Sequence, residues 1–416
     1  MNGSVRSARL NVSRRACLLV LAAVVSGAPA AVTWGGVTSS AIAATARSGP
    51  ALYCGCYSPH QFDVAYGIQP LLDSGTDGRG ETVTVLVTVP QPNHGPAGPG
   101  PAPGTVGTDI RQDMKGFDSM FGLPAPRIEV VTSPAGSASP WQATLEEVTD
   151  TEIVHAVAPA ATLRVVLVSA KTTAQMVAGL RLAVSHTDVA SISAALGEHY
   201  FTKVQVAEIH SMLVGAEAHH VTVVAATGDS AWHSDPVLGG PAVKEVSLPA
   251  SDPLVLGVGG STLTVNPSTG AYVSETAWEP SGGGFSHLYA RPSYQEGVPG
   301  ISKTRGVPEV AGDAGKTGGI ARVVVSGGVA SLVWPAGTSD SAPLWGGIVA
   351  LADQYAHHDL GFINPAIYRI GLGSSYHRAF RDITTGSNGY PAGPGWDPVT
   401  GWGTPDAQVL VPLLAR

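Results

Sequence analysis

Short apolar runs rich in β-branched residues alternate along this chain with longer segments whose apolar positions recur at helical spacing. Residues 82–89, 163–168, 189–193, 221–226 and 254–258 read as strands, and 109–121, 145–157, 174–185 and 203–218 as helices. The strands are apolar almost throughout, with little alternation of polar positions, so both their faces are expected to be covered. Strand–helix alternation of this kind predicts an α/β fold: a doubly wound, mostly parallel sheet with helices on both faces. A further helix is expected after Pro343, where small and apolar residues run from Leu344 to Ala352 on every side. It should lie inside the molecule. The Pro/Gly stretch 90–104 reads as a surface loop after the first strand. No internal repeat or interdomain linker is visible, so the chain from about Leu52 onward reads as one domain.

Ahead of that domain, Arg6, Arg9, Arg14 and Arg15 precede an apolar run over 16–25 and then small residues. This is the order of a secretory signal. Ala41-Ile42-Ala43 offers a cleavage site and Ala28-Pro29-Ala30 a poorer one, while Arg14-Arg15 also permits a twin-arginine route. Gly27 and Pro29 leave the run short for a membrane span. Residues 1–44 are therefore expected to direct secretion and to be removed, leaving 45–416 as a single domain with no evident long pro-segment. Loss of four arginines moves the net charge from −8 to −12. An acidic surface argues against nucleic acid or anionic membrane as a partner.

The 416 residues are 44% hydrophobic and only 13% charged, which allows a large core and excludes a disordered chain. Cys17 leaves with the signal. A bridge between Cys54 and Cys56 would span one residue under strain, so their redox state stays open at this level.

Candidate chemistry begins with Gly337-Thr338-Ser339-Asp340-Ser341-Ala342-Pro343, directly ahead of the small-residue helix. Ser339 would stand at the helix N-terminus, with Pro343 tolerated in the first turn. Unpaired backbone N–H groups there can help hold an oxyanion. The whole string resembles the serine motif of subtilisin-like enzymes. A Ser–His–Asp arrangement of that kind also needs an acid ending the first strand, but that strand ends Val87-Thr88-Val89-Pro90. His155 lies near the end of a helix, where packing explains it better than catalysis.

The same helix begins Thr144-Leu145-Glu146-Glu147-Val148-Thr149-Asp150. Glu146 and Asp150 are spaced i, i+4 and project from one face, where like charges repel unless they share a proton. Glu147 fits a capping box with Thr144. Glu146 is then the spare acid, with Asp150 to orient it. At pH ~4 an ordinary histidine is neutral only about 0.3% of the time, whereas an ordinary glutamate is roughly one-third ionised. A carboxylate base therefore suits acid.

On these strings the chain resembles the sedolisin (serine-carboxyl peptidase) family, from about Tyr66 to Thr404. The shared strings include Tyr66-Gly67-Ile68, Glu146-x-x-x-Asp150 before Ala156-Val157-Ala158-Pro159, and Ala226-Thr227-Gly228-Asp229-Ser230. They continue with Gly259-Gly260-Ser261-Thr262-Leu263, Ser281-Gly282-Gly283-Gly284-Phe285-Ser286 and Arg291-Pro292-Ser293-Tyr294-Gln295. The resemblance implies a subtilisin-like fold and an acid-active endopeptidase taking protein or peptide substrates, expected as a monomer. It implies Ser339 as nucleophile, Glu146 as general base, Asp150 as its partner and Asp229 as an oxyanion-hole residue. Asp229 ends a buried strand, and partial burial beside other acids is expected to favour its neutral, hydrogen-bond-donating form. The resemblance also implies one structural Ca²⁺ in a C-terminal loop region, held by Asp382, the Ile383, Gly393 and Gly395 carbonyls, and Asp397. An oxygen-only shell of this kind suits calcium.

Two strings depart from the family pattern. Ser191-Ile192-Ser193-Ala194-Ala195-Leu196-Gly197 stands where Ser-Ile-Ser-Trp-Gly is usual in the substrate wall, and Pro308-Glu309-Val310 stands where Pro-Asp-Val is usual. The competing readings are a secreted peptide-binding protein without turnover and a neutral subtilase using His155. Presence of all four presumed catalytic residues disfavours the first, and the missing strand-end acid the second.

Overall fold

The computed structural model describes residues 55–88, 108–132, 142–143, 145–168, 172–233, 243–326 and 328–416. The secretory segment 1–44, Cys54, the 90–104 loop and Thr144 lie outside the described residues. Cys56 is buried and disulfide-bonded, with its partner outside them too.

Eight strands form the central sheet: β1 (Thr82–Thr88), β2 (Arg127–Thr132), β3 (Thr162–Val168), β4 (Val189–Ile192), β5 (Thr222–Ala226), β6 (Leu256–Val265), β7 (Tyr272–Ala277) and β8 (Val310–Asp313). Their order is β7-β6-β5-β4-β1-β3-β2, with β8 also paired to β6. Every pairing is parallel except β6 with β7. The expected mostly parallel sheet is therefore present.

Successive strand residues feed two cores. Val83, Val85, Leu163, Val165, Val224 and Ala226 face helices α2 (Leu145–Val157) and α5 (Thr338–Ala356). Leu86, Val166, Ala190, Val223 and Ala225 face α3 (Thr173–Ala183) and α4 (Lys203–Ala218). Strand geometry sends alternate side chains to opposite faces, so a strand covered on both sides must be apolar at every position. Each fully buried Val, Leu or Ile contributes ~1.5–3 kcal/mol relative to exposure. Helix α5 is buried along most of its length, with Leu344, Trp345, Ile348, Val349 and Leu351 all at 0% exposure.

β2, β7 and β8, and a hairpin of β9 (Arg322–Ser326) with β10 (Val329–Val333), were not expected from the pattern. β2 and β7 are edge strands whose half-exposed residues lack an apolar run. β6 extends seven residues past the expected end at 258 because Gly259-Gly260 disguises its continuation.

Glu309, in the altered Pro-x-Val string, has a structural place. Its carboxylate is buried and accepts from Arg305 Nη2 and the Gly257 N–H, each at 2.9 Å. The side chain reaches Arg305, four residues earlier in the chain, whose charge offsets its burial.

Candidate active site

Helix α5 opens at Thr338 with Gly337 as its N-cap, so Ser339 is its second residue and half-buried. Pro343 falls in the second turn, rather than in the first as expected. A proline has no N–H, so the Ser339 carbonyl lacks its i+4 donor. The Ser193 hydroxyl donates to that carbonyl at 3.3 Å. Pro343 thus frees the carbonyl through which the substrate-wall segment is attached to the serine.

Asp229 lies just beyond the C-terminal end of β5, the end where sites assemble in parallel sheets. Its Oδ1 accepts from the Thr338 N–H at 2.8 Å and the Thr338 hydroxyl at 2.9 Å. The carboxyl therefore caps the serine helix. A Cβ on Gly337 would lie 2.8 Å from both Asp229 Oδ2 and Ser339 Oγ, so these two oxygens face one small space that a side chain would fill. Asp229 is nevertheless exposed, which corrects the expectation of partial burial.

Glu146 and Asp150 share one face of α2, but their surroundings are opposite. Glu146 is exposed at the first turn, while Asp150 has 0% exposure. Burial, then the Glu146 charge beside it, push the Asp150 carboxyl well above the ordinary range; Asp340 adds to this, while Ser193 and Arg322 oppose it. Two carboxyls coupled in this way titrate as a pair. Burial thus favours the neutral form at Asp150. Glu147 is buried, and its capping partner Thr144 lies outside the described residues.

His155 is also buried, with Nε2 at 2.8 Å from the Pro124 carbonyl and 3.1 Å from Asp118 on α1 (Ile110–Phe121). It serves packing between α1 and α2, which removes the reading that made it a base.

The altered wall remains intact as backbone. Leu196–Gly197 pairs antiparallel with Ser247–Leu248. Opposite it, the Gly282 N–H donates to the Gly228 carbonyl at 2.6 Å, and a Cβ on Gly282 would lie 2.1 Å from the Thr227 carbonyl oxygen. Only glycine lets the 281–284 segment lie against the Asp229 loop. The string thus packs beside Asp229.

In the C-terminal loop region the two expected metal-ligating acids come together. The Gly395 N–H reaches Asp382 Oδ1 and Oδ2 at 3.2 and 3.1 Å, and the Gly393 N–H reaches Asp397 Oδ2 at 3.1 Å. Tyr376 bears electrostatically on both carboxyls. Burial pushes the Asp397 carboxyl up to about 6, against N–H and hydroxyl donors from Thr400, Gly393 and Val399. Two carboxylates in one loop with the Ile383 backbone beside them form an oxygen-only donor set, and these residues fit calcium.

No family model matches the chain. Kumamolisin from Bacillus sp. (strain MN-32) is 31% identical over 394 residues, covering 86% of this chain and 64% of kumamolisin. Human tripeptidyl-peptidase 1 is 31% identical over 251 residues, 54% of this chain and 43% of that protein. The chain thus spans less than two thirds of either relative's length. Pseudomonas sedolisin, a serine-carboxyl proteinase solved with two molecules of pseudo-iodotyrostatin, superposes with a TM-score of 0.69 at 26% identity, covering 86% of this chain and 97% of that one. Similarity of sequence and of architecture coincide over the segment that carries the serine helix and the acid pair, and the chain belongs to the sedolisin family.

Proposed function

We propose that this protein is a secreted endopeptidase active in acid, with Ser339 as nucleophile, Glu146 as general base, Asp150 as its protonated partner and Asp229 as the oxyanion donor. The observation that supports it most directly is the placement of exposed Glu146 and buried Asp150 on one face of a helix packed against the serine helix. The Ser339 hydroxyl attacks the peptide carbonyl and passes its proton to Glu146. Charge then develops on the carbonyl oxygen in the space that Asp229 Oδ2 faces. Glu146 returns the proton to the leaving amine, and water releases the acyl group by the same steps reversed. Substrate is protein or peptide chain, laid between the 194–197 wall and the 281–284 segment. Residues 1–44 carry the export signal, and no helix among the described residues is long and apolar enough to cross a membrane.

A second carboxyl cluster supports work in acid. Burial, with Asp188 and Asp359 alongside, pushes Glu81 up to about 7. Burial, with Glu81 and Asp359, pushes Asp353 up to about 8. A raised folded-state value means that protonation favours the folded form. That stabilisation is complete below the ordinary carboxylate range and is lost as pH rises through about 7 and 8. Hydrolysis of a denatured protein across pH 3–8, with melting temperature followed in parallel, tests the proposal. Activity should be greatest in acid, be absent in Ser339→Ala, and yield internal fragments; melting temperature should fall toward pH 8. Activity that survives Ser339→Ala would reject the reading.

Asp382, Asp397 and the Ile383, Gly393 and Gly395 carbonyls would hold one calcium ion, which supplies a positive centre joining the two ends of the loop. A ligand bound only by the native state adds ~2.7 kcal/mol at a hundredfold excess over its dissociation constant. Chelation, or Asp397→Ala, should therefore lower the melting temperature by about 3–4 °C. An unchanged melting curve on protein verified as metal-free would remove calcium from the account.

A further inference from the structure

The β9–β10 hairpin lies outside the central sheet, and the catalytic steps above make no use of it. It is nevertheless tied to both elements that carry the site. The Val323 N–H donates to Glu152 Oε2 at 2.8 Å, fastening β9 to α2 two residues beyond Asp150. Arg322, next to it and fully buried, reaches the other way. Its Nη2 donates to the Pro335 carbonyl and to Asp340 Oδ2, each at 2.9 Å, while Nη1 donates to Asp340 Oδ1. Asp340 directly follows Ser339, and Pro335 precedes it by four residues. A single planar guanidinium therefore grips the serine-presenting loop on both sides of the serine, a geometry that its fork of donors suits and a lysine could not reproduce.

We propose that Arg322 is a positioning residue for the reaction: it fixes the serine loop against the acid helix and sets the charge balance of the Glu146–Asp150 pair. The inference rests on the reading of that pair as the catalytic acids. Asp150 is faced by Glu146 from its own helix, Asp340 from α5, the Ser193 hydroxyl from the segment after β4, and Arg322 from β9. Arg322 in turn is faced by Asp340, Asp150 and Glu152, and Glu152 also by Asp113 and Asp118 from α1. Asp340 disfavours an ionised pair and Arg322 favours it. Arg322 bears on Asp150 through charge, its hydrogen bonds going to Asp340 and the Pro335 carbonyl.

The two partners of this ion pair should then shift the pH profile in opposite directions. Arg322→Gln leaves Asp340 uncompensated beside Asp150, and the acid limb of kcat/KM should move to higher pH by on the order of one unit. Asp340→Asn leaves the cation uncompensated, and the limb should move to lower pH. Arg322→Lys keeps the charge without the fork, so the limb should stay near its wild-type position while kcat falls about tenfold with KM little changed. If Arg322→Gln does not fold, Asp340→Asn and Arg322→Lys carry the test. A merely structural clamp would lower melting temperature and kcat in all variants with the limb in place, and that result, or shifts of one sign, overturns the inference. Ser339→Ala measured alongside separates the two failures. Hydrolysis surviving in it rejects the site and the role of Arg322 together, whereas hydrolysis abolished with an unmoved limb rejects only the latter.

Discussion

Replacing Glu146 with glutamine is expected to lower kcat by about 10²–10⁴-fold, with melting temperature close to that of the unaltered protein. Glutamine keeps the size and hydrogen-bonding reach of the side chain but cannot take the Ser339 proton. Glu146 is exposed, so the change leaves no unpartnered group in the core. Glu147→Gln should behave in the opposite way. Its side chain is buried on the next position of the helix, so the loss should appear as stability, on the order of 1 kcal/mol, with kcat retained. Steady-state kinetics and thermal melts of the two variants check this directly. If Glu147→Gln were the inactive one, the acid pair would be misread by one residue.

Asp229→Ala is expected to lower kcat by about 10²–10³-fold with little change in KM. The carboxyl has two oxygens in different roles. Oδ1 accepts from the Thr338 N–H and hydroxyl, and Oδ2 faces the space beside Ser339 Oγ. In the neutral acid, the first can remain an acceptor while the second donates to the developing oxyanion. Asp229→Asn preserves both roles, because its carbonyl can cap the helix while its amide donates. It should therefore retain more activity than the alanine variant. Because the amide does not titrate, it should also weaken the decline of activity as pH rises. The fold leaves Asp229 exposed and open to solvent. An ordinary aspartic acid is about half protonated near pH ~3.9. Turnover against pH for the three proteins is the measurement, and equal activity in the unaltered protein and Asp229→Ala would reduce Asp229 to a helix cap.

The chain alone determined the sheet-and-helix alternation, because strands covered on both faces must be apolar at every position. Leu145–Val157 and Lys203–Ala218 were legible to the residue for a related reason: both carry long helical patterns. Ser339 and the i, i+4 placement of Glu146 and Asp150 were also readable, since they depend on local strings and helical geometry. Spacing along a helix shows which residues share a face, but not what that face meets. Only the folded molecule made Glu146 exposed and Asp150 buried, and the proposed division of roles rests on that difference. The capping of α5 by Asp229 joins residues 109 apart, and the hydrogen bond from Ser193 to Ser339 joins residues 146 apart. The Arg322–Asp340 pair depended on where the hairpin packs, which the Arg322–Ser326 string does not state. Contacts of this range are set by which elements the core brings together, a choice made by the summed burial of the whole chain and by no single string within it.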